Sequence, residues 1–599
     1  MPAAPPAKSS VLANVVAKTI SVTILLGLSL VVFAYRRSLT PLYGPVPTDL
    51  HLNKIAWAAC IVGSFAPAIP IGSATLIAGI LLCLMPNTAY WVAVYTGRMG
   101  DATLGPVATH MLVVVPVIAL GVAIQTPGQD DTAAPQQLIT LPIAQTTVMT
   151  LQDLWPAVPF VKELPDTQIF LQTGALVLVI WAVMPLLSSP APALQSTPPS
   201  PPQMAQESSQ TNFARLILIP ILLFLTSTIL QSPTLPQPPL EPYIHPTYPL
   251  RILSSVRSPH SGVVVVGEAL PPSEDKPIQG DLHSLRYLRA GHSLVGGAWI
   301  GDMAELGREP GGELAHDEAG EPLGNSIYDA FVLQEAARLV EKPGGGERKN
   351  ALVIGLGAGT AVSALMRHNV STTIVEIDGN IYDAARQFFA LPEPNIEKVV
   401  IRDARAWTRE RRRALEQTAE AGLFDIVVHD VFSGGGLPPH LFTQQFWNDT
   451  KALMQSDGVL AVNFAGRLNS DSSRAIILTL ESVFKSCRAF CDVADPGGNV
   501  QDVYHNWVLF CTPSTEPLKF RDSVDADYLG STQRRRVLAH LSEREFDVDY
   551  VRNSITDARK EQYILMDAKN PLDKWQQKEA LDHWGIMRQV LPDVFWETY

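Results

Sequence analysis

The sequence predicts two classes of structure in one chain. An α-helical transmembrane region over residues 1–235 is followed by an α/β domain with a doubly wound sheet, itself preceded by a small β subdomain. Three observations carry this. Of the 45 Lys/Arg and 58 Asp/Glu in 599 residues, only 8 and 9 precede residue 246, so the first part is charge-poor. Runs near 15–35, 104–124, 168–187 and 213–231 are each about 20 nearly uncharged residues, long enough to cross a bilayer. Residues 350–378, NALVIGLGAGTAVSALMRHNVSTTIVEID, read as strand, glycine turn, helix, strand and acid, the first half of a nucleotide-binding α/β unit.

In the apolar region, residues 55–95 carry no charge over 41 positions, which suits two helices broken around Pro67 and Pro70 better than one. The expected count is therefore about six spans. Length and the flanking Arg36-Arg37 mark the first as a retained span rather than a cleaved signal, and Lys18 can snorkel to the interface. The mostly acidic segment 125–167 reads as a loop. No acid or base lies deep in the later spans, which favours an anchor over an ion path. Pro/Ser-rich linkers are expected at 188–210 and 236–249. The net charge of -13 does not suggest a nucleic-acid surface. Five cysteines (Cys60, Cys83, Cys487, Cys491, Cys511) form no recognisable zinc or disulfide framework, and no metal site is expected.

In the soluble part, strands at 250–256, 262–268 and 285–290 define a β subdomain over 250–325, and a helix is expected at 327–340. The main α/β domain spans 326–515. Its glycine turn runs Gly355, Gly357, Gly359, with Thr360 where a dinucleotide fold expects the last glycine. That spacing suits an adenosyl sulfonium, which has no pyrophosphate to seat on a helix N-terminus. Glu376, about 20 residues on, can hold ribose hydroxyls, and Asp403, at the end of the next strand, can accept from an adenine amino group. The arginines of helix 404–420 (Arg405, Arg409, Arg411, Arg412, Arg413) read as a solvated face. Residues 424–430 form a buried parallel strand beside the glycine strand, so Asp430 lies opposite the glycine turn while His429 faces away. Loop 433–438 suits substrate entry. Strands 489–493 and 506–511, joined by the short turn 495–498, close the sheet as an antiparallel hairpin. The tail, 516–599, reads as a mostly helical extension in which Trp584 and Trp596 pack.

As a set, residues 250–512 resemble the spermidine/spermine synthase family. The resemblance rests on V-x-x-I-G-x-G-x-G, a V-E-I-D strand end, a D-A pair and F-D-x-I-x-x-D. It implies a methyltransferase-type sheet and a cofactor site of Gly355, Gly357, Gly359, Glu376, Asp378, Asp403 and Ala404, with Asp430 as the catalytic carboxylate that accepts the amine's proton or hydrogen-bonds it into line. It implies S-adenosylmethionine or its decarboxylated form as cofactor, no metal, and an amine acceptor, either a small polyamine or a protein amine. A homodimer is left open. Two departures stand out: Ala358 replaces the acid that synthases carry in the turn, and Asp430-Val431-Phe432-Ser433 replaces D-S-S-D. A polycation needs several carboxylates to replace its water, so the reduced acid set points toward the family's methyltransferase-like relatives. His292 is a secondary catalytic candidate. The expected function is a bilayer-anchored methyl- or aminopropyltransferase. The rivals are a silent adenosyl-binding protein and a transporter with a nucleotide-sensing domain. Arg36, Arg37 and Lys54 suggest a cytoplasmic first loop, which with six spans carries the soluble half across. A cofactor made in the cytosol argues for the opposite, and a cytosolic catalytic half is the expectation. Sequons at Asn369 and Asn448 can report the side.

Overall fold

The computed structural model describes residues 8–65, 69–125, 133–188, 214–222, 224, 225, 228, 233–273, 282–417, 422–432, 435–494 and 499–599. The chain forms two compact units, Met1–Thr234 and Leu235–Tyr599.

The first unit is helical: α1 (Lys8–Tyr43), α2 (Pro45–Phe65), α3 (Ile71–Gly97), α4 (Leu104–Ala123, with a π turn at His110–Val114), α5 (Ala133–Leu151) and α6 (Asp166–Ser188). The uncharged stretch does break near the prolines, between Phe65 and Ile71. Among the described residues, four helices are long and apolar enough to cross a membrane: Lys18–Tyr43, Ile71–Gly97, Leu104–Ala123 and Asp166–Met184. The six expected spans included the region of α2, whose first turns carry Asp49, His51 and Lys54, and the run near 213–231, which lies partly outside the described residues. The loop expected over 125–167 is corrected by α5, whose apolar residues outweigh the acids that flank it. Near the end of α1, Arg36 donates to Asp49 and Asp153 (2.8 and 2.7 Å) and Arg37 to Asp166 (2.5 Å). The linker expected at 188–210 falls outside the described residues from position 189 on.

The second unit opens with a five-stranded antiparallel sheet in the order β1 (Tyr243–Ile244), β2 (Leu250–Ser258), β3 (Gly262–Ala269), β4 (Leu285–Ala290), β5 (Leu294–Trp299). The main sheet is built from β6 (Asn350–Ile354), β7 (Ser371–Glu376), β8 (Val399–Ile401), β9 (Phe424–His429), β10 (Met454–Gly466), β11 (Ser486–Cys491), β12 (His505–Thr512) and β13 (Glu545–Phe546). Its order is β8-β7-β6-β9-β10-β12-β11-β13, parallel as far as β10 and antiparallel beyond. This is a methyltransferase-type sheet, and the order reverses between β6 and β9, where such folds bind ligands.

Strand alternation sorts the apolar residues onto two faces. Leu352, Ile354, Val427, Leu460 and Val462 pack with Phe446 and Trp447 on one side. Ala351, Val353, Ile426, Val428 and Ala461 pack with Leu333, Val362 and Leu365 on the other. Helices α8 (Thr360–Arg367), α9 (Gly379–Phe388), α10 (Ala404–Gln417), α11 (Gln444–Ala452) and α12 (Asp471–Glu481) connect the strands. On α10, Arg405 ion-pairs with Asp449 and Asp567, so part of the arginine face is tied down within the chain. The helix expected at 327–340 is an α turn, α7 (Asp329–Leu333), followed by 3-10 winding over Gln334–Leu339. This winding turns the consecutive polar residues Gln334 and Glu335 inward, each 1% exposed. The tail contributes β13 and a longer helix, α13 (Gln577–Val590), and Arg289 of β4 donates to the carbonyls of Phe595 and Trp596 (3.1 and 2.9 Å). The turn at 495–498 and part of the 433–438 loop (433 and 434) lie outside the described residues.

One expectation is overturned. Cys487 and Cys511 form a disulfide. They sit directly opposite each other in the β11–β12 pairing, with Cα atoms 4.2 Å apart, as the closely spaced pairs of an antiparallel ladder allow. The cross-strand register that creates the pair is invisible in a separation of 24 residues. Replacing both by serine should cost about 3 kcal/mol through the freed loop entropy, read as a lower unfolding midpoint of the full chain.

Candidate active site

The strand ends at the reversal of sheet order open into a cavity of about 420 Å³, within the roughly 300–1,000 Å³ range of small-molecule sites. Its floor is the glycine turn. Gly355, Gly357 and Gly359 have φ of 83°, 53° and 78°, in the left-handed region that favours glycine. A Cβ on Gly355 would stand 2.0 Å from the Asp430 carbonyl oxygen, and one on Gly357 2.3 Å from that of Val295 in β5. The turn is thus pressed between β9 and the β subdomain, and side chains are excluded where a ligand must come close. Gly359 differs: it does not line the cavity but caps the N-terminus of α8, where a Cβ would first meet Leu391 at 3.0 Å.

The other residues named from the sequence fall as follows. Glu376 ends β7 in the cavity wall, its two oxygens accepting from the Leu356 and Asp378 amides (2.8 and 2.9 Å). Each oxygen keeps a lone pair for a hydroxyl. Burial pushes its carboxyl up to about 7, the two amide donors opposing the rise. Asp378 lines the cavity but is engaged in structure: it caps α9 through the Asn380 amide (3.0 Å) and accepts from Ser258 (2.5 Å). Asp403 accepts from the Ala406 amide at 2.9 Å and faces His440 Nε2 at 2.9 Å, with Ala404 beside it in the wall. This set fits an adenosyl group: a side-chain-free cradle, a carboxylate at the end of β7, and a second acid after β8, all lining one cavity. If Glu376 must be ionised to accept ribose hydroxyls, affinity for S-adenosylhomocysteine should fall as pH drops below about 7. Between about pH 8 and pH 6 the loss should be roughly tenfold. Titration calorimetry measures this, and Glu376→Gln should bind weakly with a flat profile.

Asp430 follows β9 and lines the cavity, its amide donating to the Ile354 carbonyl (2.9 Å). Gln334 Nε2 donates to one carboxylate oxygen and Asn463 Nδ2 to the other, both at 2.8 Å. Burial raises its pKa from the ordinary range, and the two amide donors oppose the rise. His429 points to the opposite face, fully buried against Phe442, Phe446 and Trp447, and burial lowers it to about 3. His292 does not reach the cavity; it is 1% exposed and packs on Trp584 and Trp596.

The sequence missed several wall residues. Gln334 falls within the helix expected at 327–340, and Asn463 is not singled out by its sequence context. Register could have found Asn463, because His429 pairs with Val462 and the next residue on each strand reaches the same edge. Tyr328, Asp492, Tyr504 and His505 also line the cavity, as do His583 and Met587 of α13. Cys491, Asp492 and His505 bring metal-type donor atoms within 4.8 Å of one another. Burial pushes the Cys491 thiol up to about 12, so it meets the cluster protonated.

Residues 335–494, from Gln334's neighbour to the wall around Asp492, match the spermine/spermidine synthase domain. The chain is 39% identical over 323 residues to an N-terminal histidine N-methyltransferase of Emericella nidulans, covering 52% of this chain and 54% of that one. A polyamine aminopropyltransferase of Vibrio vulnificus is 32% identical over 149 residues, covering 24% of this chain and 46% of that one. The chain thus spans about half the length of the curated relatives it matches. A probable spermidine synthase from Corynebacterium glutamicum is similar at 14% identity, covering 51% of this chain and 94% of that one, with a TM-score of 0.34.

Proposed function

We propose that this chain is a membrane-anchored, S-adenosylmethionine-dependent N-methyltransferase whose acceptor is the N-terminal histidine of a protein. The observation that carries the reading is Asp430, one carboxylate held by two amides beside a side-chain-free turn. The relative named for histidine methylation supports the acceptor. When bound, the sulfonium supplies an electrophilic methyl carbon and departs as a neutral thioether, so no general acid is needed. Of the two nitrogen sites on an N-terminal histidine, the imidazole has a free lone pair at neutral pH, whereas the α-amine is largely protonated. Asp430 would accept the N–H of the ring, aim the other nitrogen, and take the proton as the ring becomes cationic.

Methyl transfer is favoured over aminopropyl transfer by position 358. Ala358 is 7% exposed, and its amide donates to the Val295 carbonyl (3.3 Å). A Cβ on Gly296 would lie 2.5 Å from the Ala358 Cβ, so the turn is packed where synthases present an acid. The full chain in lipid nanodiscs, given S-adenosylmethionine and a peptide beginning with histidine, should add one methyl group to the ring. Product from decarboxylated cofactor and putrescine instead, with no methyl peptide, would overturn the reading.

The buried disulfide supports an oxidising compartment for the soluble unit, against the cytosolic side that the origin of the cofactor suggests. Asn369 is exposed in a turn with φ of 58°, whereas Asn448 lies within α11. A glycosidase-sensitive mobility shift lost in Asn369→Gln is the expected result in a eukaryotic host.

A further inference from the structure

On the far wall of the cavity from the glycine turn, Asp492 follows β11, and Tyr504 and His505 stand where β12 begins. The Asp492 carboxylate accepts from Asn506 Nδ2 (2.9 Å) and lies 3.7 Å from both His505 Nδ1 and Cys491 Sγ. Among the described residues, no lysine or arginine side chain pairs with this carboxylate, although Arg544 donates to the Asp492 backbone carbonyl. It is a cavity-lining carboxylate with an amide donor and an imidazole beside it. In the same cavity wall, the hydroxyls of Tyr328 and Tyr504 are buried and have no hydrogen-bond partner among the described residues. Burial without a partner is costly for a hydroxyl, so two of them on residues that line one cavity mark a place where a ligand supplies the missing contacts. Asp492 is the charged neighbour of Tyr328, and Glu579 stands near Tyr504 with the Arg467–Asp582 ion pair, so acids attend both hydroxyls and mark that ligand as a cation.

Three strand steps of about 4.8 Å separate β9 from β11, so Asp430 and Asp492 stand on backbones roughly 14 Å apart. Two side chains and two hydrogen bonds take up most of that span. The remaining gap suits a small group carrying two nitrogens a few ångström apart. We infer that Asp492, with Tyr328 and Tyr504, is the seat of the acceptor's α-ammonium group, so that the enzyme reads a free N-terminus at one acid while the ring meets the other. This rests on the acceptor proposed above. It adds the requirement that the terminus be unblocked, and it makes Asp492 a specificity residue that holds the substrate without touching the transferred carbon.

The test compares a peptide beginning with histidine and its α-N-acetyl form, binding to the full chain in nanodiscs with S-adenosylhomocysteine present. The wild type should bind the free peptide at least tenfold more tightly. Asp492→Asn should erase that preference while S-adenosylhomocysteine affinity stays within about twofold. Equal binding of both peptides by the wild type overturns the seat, as does an Asp492→Asn variant that keeps the preference. Should Asp492→Asn fail to fold, Tyr504→Phe takes its place: a loss confined to the free peptide supports the seat, and an equal loss for both peptides overturns it. Asp492-dependent binding without methyl product would sink the proposed function and leave the seat standing, whereas methyl product on both peptides at equal rates would do the reverse. No binding of either peptide would overturn both.

Discussion

Asp430→Asn should lower methyl transfer by roughly 10²- to 10³-fold while S-adenosylhomocysteine affinity changes by less than about twofold. The substitution keeps the shape and removes the charge. Gln334 and Asn463 each donate to this carboxylate, and each has a side-chain oxygen with no partner among the described residues. Rotation of one amide can therefore satisfy the new NH₂ and hold the side chain in place. What is lost is the acceptor for the ring proton and the charge that offsets the cation as it forms. Single-turnover measurement with saturating peptide separates this from weaker binding. A variant with wild-type turnover would remove Asp430 from the chemistry.

Gly355→Ala should abolish S-adenosylhomocysteine binding and destabilise the soluble unit by at least about 3 kcal/mol. The added Cβ has nowhere to go: it meets the backbone oxygen of Asp430 at 2.0 Å, at a φ of 83° that alanine resists. Relief means parting β6 from β9, the two strands whose ends hold the site. Gly359→Ala is the control. Its Cβ would meet first the end of the Leu391 side chain at 3.0 Å, so binding should weaken only several-fold. A binding series measured at one temperature would read this order directly, and equal losses at the two positions would contradict it.

The legible part of the molecule was the part written in local pattern. Apolar runs that end at Gly355, Glu376 and Asp430 announced three parallel strands, because buried strands read as continuous hydrophobic stretches. Once strand order is granted, Asp430 must face the turn and His429 must not. The contributors from elsewhere had no such signature. Gln334 turns inward only because the helix tightens after Leu333, and no residue in that segment forces the change. Tyr328, Asp492 and Tyr504 sit at the ends of elements whose closeness is set by sheet order rather than spacing. The disulfide was hidden in the same way. In the first unit, counting uncharged residues located the chain breaks but misjudged 125–167, where the acids sit at the ends of the segment and α5 occupies its middle.

The cleft is closed by chain that the shared family segment does not contain. Ala290, Leu294 and Val295 come from the preceding β sheet, while His583, Ile586 and Met587 come from a helix nearly a hundred residues past the segment's end at 494. A fragment trimmed to 335–494 would keep the turn and both central acids yet have neither roof nor outer wall. It would lack Tyr328, Gln334 and Tyr504 altogether and leave the Asp430 carboxylate open to water. Such a piece is the wrong specimen for screening inhibitors, and compounds chosen against it would be selected for a surface that the intact protein never exposes.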